Sequence, residues 1–276
     1  MDEVVERTEV LLPGPAQALG ALLGVPVPDL QRAEGLPLLW HWVYLLDRPA
    51  QADLGPDGHP VRGTLPTPPG QGRRRMWAGG RVRARGSLRC GQAATRRTSV
   101  LSAQEKQGRS GPLTFVVIRH RIFQADRIVV EEEQDIVYRE AAPPVPAPAA
   151  GADESSVVPA AAGEWAIDTS PTLLFRFSAL TYNAHRIHYD RDYARDVEGY
   201  PGLLVHGPLQ ALAMAEAARA RGGGDKRFFE YRLVSPLFDD RGMVVSAVPG
   251  DEPIQTAVRD RYGRPTASGA LWTASP

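Results

Sequence analysis

With 276 residues, 43% hydrophobic and 23% charged, the chain is long enough for one large domain or two of roughly 100–150 residues, and its composition is that of a globular protein. Its single cysteine, Cys90, excludes an internal disulfide and a thiolate zinc cage. The formal net charge is zero, the opening Met-Asp-Glu has no basic leader character, and the apolar stretch 19–27 is too short to span a bilayer, so a cytoplasmic protein is expected.

In chain order, Pro15 stands where a helix start favours proline and 16–23 follows as a predicted helix, while 36–46 is apolar nearly all round and predicts a second, buried helix. Residues 63–72 are of low complexity and suit a loop inside the first domain. Beyond residue 80 the period changes to two: Arg81, Arg83 and Arg85 alternate with small residues, and 113–122 and 128–137 are rich in Val, Ile and Phe, which predicts strands joined by a turn at 124–127. From Arg73 to Arg121 twelve arginines and one lysine face a single acidic residue, Glu105. Such an excess suits an anionic partner, nucleic acid or a phosphorylated cofactor, and equally suits arginines on solvated strand faces. No helix-turn-helix, zinc-finger spacing or aromatic pair supports nucleic acid.

Five prolines and many alanines between 143 and 163 form a composition unsuited to packing, which divides the chain into a domain at 1–142, a linker at 143–165 and a domain at 166–276. The second domain repeats the first in outline. A strand is predicted at 173–177 and a helix at 209–221, following Gly207-Pro208 and stopped by Gly222-Gly223-Gly224. Strands are predicted at 228–234, 243–248, 254–260 and 267–273, with 262–265 turning the last pair. Two units of helix followed by antiparallel strands predict a long helix wrapped by a curved sheet in each half.

The densest group of reactive side chains is Thr181-Tyr182-Asn183-Ala184-His185-Arg186-Ile187-His188-Tyr189-Asp190. His185 and His188 are three apart and could share a helical face, but no third ligand is marked, so a metal is not expected, and plain hydrogen bonding in a loop is the alternative. Further on, His206-Gly207-Pro208 opens the predicted helix. Backbone N–H groups there are unpaired and suited to a developing oxyanion, although the same residues also suit a tight turn into the helix.

His188 and His206-Gly207 resemble the site of MaoC-like, R-specific hot-dog enoyl-CoA hydratases, whose loop reads Asp-x-Asn-Pro-x-His before a His-Gly-Met helix start. Aligned on His188, Asn183 takes the Asp position, His185 the Asn position and Arg186 the Pro position. The whole loop looks like one branch, the itaconyl-CoA or mesaconyl-C4-CoA hydratases and the mitochondrial-type 3-hydroxyacyl-thioester dehydratases. In the first half, Asp57-Gly58-His59-Pro60, Arg75-Met76-Trp77-Ala78-Gly79-Gly80, Lys106-Gln107-Gly108-Arg109-Ser110-Gly111-Pro112-Leu113 and Asp135-Ile136-Val137-Tyr138-Arg139-Glu140 resemble the same branch.

The resemblance implies an α+β double hot dog, two antiparallel sheets each wrapped around a long helix, with a non-catalytic first half that helps form an acyl-CoA pocket. The implied reaction adds water across a 2,3-double bond conjugated to a thioester. His188 would be the general acid/base and Gly207 N–H the oxyanion donor. Asn183, which cannot exchange protons as a carboxylate does, would orient the water. His185 is a reserve second base and Asp190 a candidate to orient an imidazole. Coenzyme A would come as part of the substrate, with no separate cofactor and no metal, its phosphates on Arg109, Arg73, Arg74 and Arg75, and with His206 and His185 lining the substrate site. Arg186 would pair with the free carboxylate of a C5 dicarboxylyl group, making citramalyl-CoA the product. A dehydratase of fatty-acyl metabolism, a hot-dog thioesterase and a non-catalytic acyl-CoA-binding module are the competing readings. A homodimer is expected by family analogy.

Overall fold

The computed structural model describes the chain except residues 1–2, 33, 63–72, 109–110, 141–155, 224–226, 249, 251 and 275–276. Strand β1 (Val4–Val10) is followed by helix α1 (Pro13–Leu23), whose buried Ala16, Leu19, Gly20 and Leu23 recur at helical spacing. Gly24 ends α1 in the left-handed conformation, φ 67°, where a residue without Cβ carries no penalty. The helix expected at 36–46 is not formed. Leu39 and Leu45 adopt φ of 71° and 53°, which breaks the α repeat, and only the 3-10 turn Trp40–Val43 remains. Its apolar residues are buried on all sides because the segment is packed between the two halves, not because it is a regular helix.

Four long strands follow: β2 (Arg73–Ala84), β3 (Ala93–Gly108), β4 (Gly111–Gln124) and β5 (Arg127–Glu140). The expected hairpin turn between β4 and β5 is present. Strand β3, rich in Thr, Ser, Arg and Gln, has too little apolar alternation to be read from the sequence. The second half opens with β6 (Trp165–Ile167), whose first residue is the last of the expected linker; 143–155 of that linker lies outside the described residues.

The strand expected at 173–177 is instead the middle of helix α2 (Pro171–Thr181). Ser170 caps it, its Oγ accepting from the Leu173 N–H at 3.5 Å, and Pro171 occupies the first turn. Leu174, Phe177 and Ser178 form its buried face, three and four residues apart. Helix α3 (Gly207–Ala220) is buried on almost every side and packs on β8 (Met243–Val248), β9 (Ile254–Arg259) and β10 (Pro265–Trp272), which with β7 (Phe228–Leu233) complete the fold.

The strands run in the order β1-β3-β4-β5-β2-β7-β10-β9-β8-β6. The two half-sheets are therefore joined edge to edge in one ten-stranded antiparallel sheet rather than standing apart. The seam is β2 against β7, from Gly79↔Arg232 to Arg83↔Phe228. Across it the Trp77 indole N–H donates to the Tyr231 hydroxyl at 2.9 Å, and the Trp40 indole donates to buried Glu216 of α3 at 2.8 Å.

The arginine-rich stretch is answered from neighbouring strands. Arg81 pairs with Glu133 and Asp135, Arg85 and Arg121 with Glu131, Arg119 with Glu133, Arg97 with Glu6 and Arg96 with Asp47. Much of the excess is thus held in ion pairs, chiefly between strands, rather than presented as a free positive surface. No described helix is long and apolar enough to cross a membrane.

Tyr231→Phe leaves the Trp77 N–H unsatisfied at the seam and should lower stability by about 1–3 kcal/mol, read as a shift of the urea midpoint.

Candidate active site

The end of α2 shapes the first part of the site. Tyr182 takes φ 53°, the Asn183 N–H returns to the Ser178 carbonyl at 2.8 Å, and Asn183 Oδ1 accepts the His185 N–H at 3.0 Å. That side-chain turn leads into the 3-10 turn Arg186–His188. The His188 ring is fixed from the other side: its Nδ1 lies 2.8 Å from the Leu204 carbonyl. A carbonyl only accepts, so Nδ1 carries the proton and Nε2 keeps its lone pair.

His206, immediately before α3, is fully buried and stacked on His188 with ring centroids 3.7 Å apart and planes 21° from parallel. Its Nε2 bonds Ser178 Oγ at 2.9 Å. His206 is thus the floor under His188, and Gly207 brings the N-terminus of α3 beside the same ring. A Cβ on Gly207 would come within 2.2 Å of Leu233 Cδ1, so the helix start and β7 are in close contact.

The first half completes the site with Asp57-Gly58-His59-Pro60. Asp57 Oδ1 accepts the His59 backbone N–H at 3.0 Å and Oδ2 bonds the ring Nδ1 at 3.0 Å, which leaves Nε2 of His59 free of Asp57. This loop is clamped to the loop after α2. The Arg186 N–H donates to the Asp57 carbonyl at 2.9 Å, and Arg186 Nη1 to the Pro56 carbonyl at 3.0 Å. Gly58, at φ 86°, lies so close that a Cβ would sit 1.8 Å from the Ala184 carbonyl oxygen. The His59 and His185 rings are consequently 3.9 Å apart, with His185 5.3 Å from His188. Four imidazoles, His59, His185, His188 and His206, form one file across the junction of the two halves.

Burial lowers the basicity of all four. Burial pushes His188 down to about 4, against the Leu204 carbonyl, which favours the charged ring. Burial also places His185 and His206 well below the usual histidine range, and the neighbouring rings add to it. His59 is lowered chiefly by burial and further by Arg75, with Asp57 pulling the other way.

The remaining expected site residues are divided. Arg186 is fully engaged: Nε and Nη2 donate to Asp190 Oδ2 at 3.0 and 2.7 Å, Nη1 holds Pro56, and its plane lies 4.0 Å over the Tyr193 ring. It braces the loop, and the guanidinium expected to meet a substrate carboxylate is paired with Asp190 instead. Asp190 holds Arg186 and the Tyr193 N–H, and orients no imidazole. Arg74 pairs with Glu198 at 2.7 Å, both groups largely buried. Half-buried Arg75 acts on His59 and His185 and has no ion-pair partner among the described residues. Arg109 and the Arg73 side chain lie outside the described residues.

Asp57 and His59 were not expected at the site, although the short Asp-Gly-His turn, with glycine where two loops touch, carried the signal. Asp57, His59 and His185 offer ligand atoms within 4.8 Å of one another and could hold a cation. Asp57 Oδ2 and His59 Nδ1 are already bonded to each other and the Arg75 charge acts on both histidines, which favours an anionic ligand instead.

The unfolded chain's histidines titrate near 6.5 and bind protons before the folded ones do. Stability should therefore fall as pH is lowered from about 6.5 toward 4. Urea midpoints measured between pH 7 and 4 test this, and His188→Gln should make the dependence shallower by about one proton.

The family model for hydroxyacyl-thioester dehydratase type 2 matches residues 39–239. A protein named mesaconyl-C(4)-CoA hydratase, from Chloroflexus aurantiacus, is 44% identical over 255 residues, covering 90% of this chain and 86% of that one. Among solved structures, HtdX of Mycobacterium tuberculosis superimposes with a TM-score of 0.67 at 15% identity, over 98% of this chain and 99% of that one. A second protein of that organism, described as having a double hot-dog fold, gives 0.55 at 16% identity, over 98% and 94%. The structural likenesses establish the fold and the sequence matches the lineage: the chain belongs to the hydroxyacyl-thioester dehydratase type 2 family, MaoC-like hydro-lyases of double hot-dog fold.

Proposed function

We propose that the chain hydrates a C5 unsaturated dicarboxylyl-CoA, mesaconyl-C4-CoA or itaconyl-CoA, to give citramalyl-CoA. The observation that carries this reading is the anchored His188 ring, its Nδ1–H on the Leu204 carbonyl and its free Nε2 beside the start of α3. Nε2 takes the proton of the attacking water, and burial keeps it free to do so at neutral pH. As oxygen bonds C3, negative charge collects on the thioester oxygen, where the Gly207 N–H at the positive end of α3 stabilises it; loss of such a donor costs about 3–4 kcal/mol elsewhere. One lone pair of Asn183 Oδ1 is used within the loop, and the amide's remaining groups orient the water.

The dicarboxylyl substrate is supported by the activity for which the Chloroflexus relative is named and by Arg75. In place of Arg186, Arg75 is the guanidinium set to receive the free carboxylate, close enough to His59 and His185 to act on both rings.

Hydration of mesaconyl-C4-CoA, itaconyl-CoA, crotonyl-CoA and a longer 2-enoyl-CoA, followed by loss of the conjugated thioester absorbance with products identified by mass, tests the reading. Preference for the first two supports it, whereas preference for the plain enoyl series moves the chain to fatty-acyl metabolism, and release of free CoA thiol identifies a thioesterase. His188→Ala should lower hydration by about 10²–10⁴-fold with the fold intact. Arg75→Gln should raise KM for the dicarboxylyl substrates by about 10- to 100-fold and leave crotonyl-CoA little changed.

A further inference from the structure

We propose that Asp57 and His59 of the first half are the second acid–base unit of the site, His59 exchanging a proton with the substrate at C2 and Asp57 positioning its ring. The proposal rests on the hydratase reading above, because hydration poses two proton tasks: one proton leaves water and one arrives at C2.

His188 serves one task. For the other, Asn183 is an amide that does not exchange protons at neutral pH, and its oxygen is bonded to the His185 N–H. His206 is fully buried beneath His188 and tied to Ser178. His185 stands between two other rings, and among the described residues no carboxylate bonds its ring to support a charged form. His59 has one. Asp57 holds it through both backbone N–H and Nδ1, so that Nε2 is the atom left for exchange, the arrangement by which a carboxylate orients a histidine and stabilises its imidazolium. The Arg186 contacts to Pro56 and Asp57, with Gly58 against Ala184, fix this loop on the one that carries His188. The charged and titratable groups around His59 are Asp57 on its own loop, Arg75 from β2, and His185 and His188 from the loop after α2.

In the hydration direction a water O–H bond breaks to His188 Nε2 while the water oxygen bonds C3. The C2=C3 electron pair moves onto the thioester oxygen, then returns to form the C2–H bond as Nε2–H of the His59 imidazolium breaks. His188 ends with one proton more and His59 with one fewer, and exchange with solvent restores both. Dehydration runs the same steps backward.

Activity then needs neutral His188 and charged His59, so the pH profile of kcat/KM falls on the acid side through His188 and on the alkaline side through His59, whose burial places that limb below the usual histidine range. In Asp57→Asn the carboxylate that holds the His59 proton is gone, so the alkaline limb should move to lower pH and kcat should fall by about 10²-fold. In His59→Ala that limb should vanish, with a similar loss partly restored by added imidazole. If His59→Ala does not fold, as judged by circular dichroism, Asp57→Asn decides alone. Either variant within threefold of wild type, or a loss with the alkaline limb unmoved and no rescue, overturns the proposal. A wild type that hydrates none of the four thioesters overturns the hydratase reading itself.

Discussion

Strand β2 is hydrogen-bonded on both edges, to β5 along its length and to β7 from Gly79 to Arg83, and the geometry of the site depends on that double pairing. A strand paired on one side only is an edge, free to twist or to recruit another chain. Here the edges of two half-sheets meet, and the β2 residues before the seam, Arg74 and Arg75, extend toward the second half. The pairing that makes one sheet of two therefore also delivers guanidinium groups beside the histidines. Trp77 to Tyr231 and Trp40 to Glu216 tie the same junction with hydrogen bonds that water does not reach freely.

Around that junction the protein concentrates imidazoles and removes solvent from them. Charged histidines packed this closely would repel one another, and burial holds His185, His188 and His206 neutral. The result is a row of lone pairs and N–H groups of fixed orientation, suited to moving protons, with the opposite charges of Asp57 and Arg75 acting on its His59 end. Opposite charges at one end of the row give the site a direction.

Much of this was legible in the sequence. The second-half strands, helix α3, His188 and Gly207 were readable because period-two runs, a Gly-Pro helix start and a compact histidine loop are local signals. Helix α2 was misread although Ser170-Pro171 is a helix-start signature and Leu174, Phe177 and Ser178 repeat at helical spacing, since a short apolar run suits strand and helix alike. The 36–46 segment failed for the opposite reason: all-round apolarity came from burial between two halves, which periodicity does not distinguish from a buried helix. Arg186 beside a catalytic loop suits a substrate carboxylate, but Asp190, four residues on, is at the spacing of a helical ion pair and takes it. Asp57 and His59 are about 130 residues from His188 in sequence, and only the folded seam brings them together.

Gly58 gives the arrangement a consequence of its own. With the Ala184 oxygen 1.8 Å from where its Cβ would be, the gap between the halves is sized to a hydrogen atom. The first half cannot then be treated as a passive cover that drifts while the second half keeps its chemistry. A change that rotates one half against the other, along the seam or under α1, is transmitted to this contact and from there to the spacing of His59 and His185. The two halves are obliged to vary together, and the tolerance of that alignment is set at a single glycine.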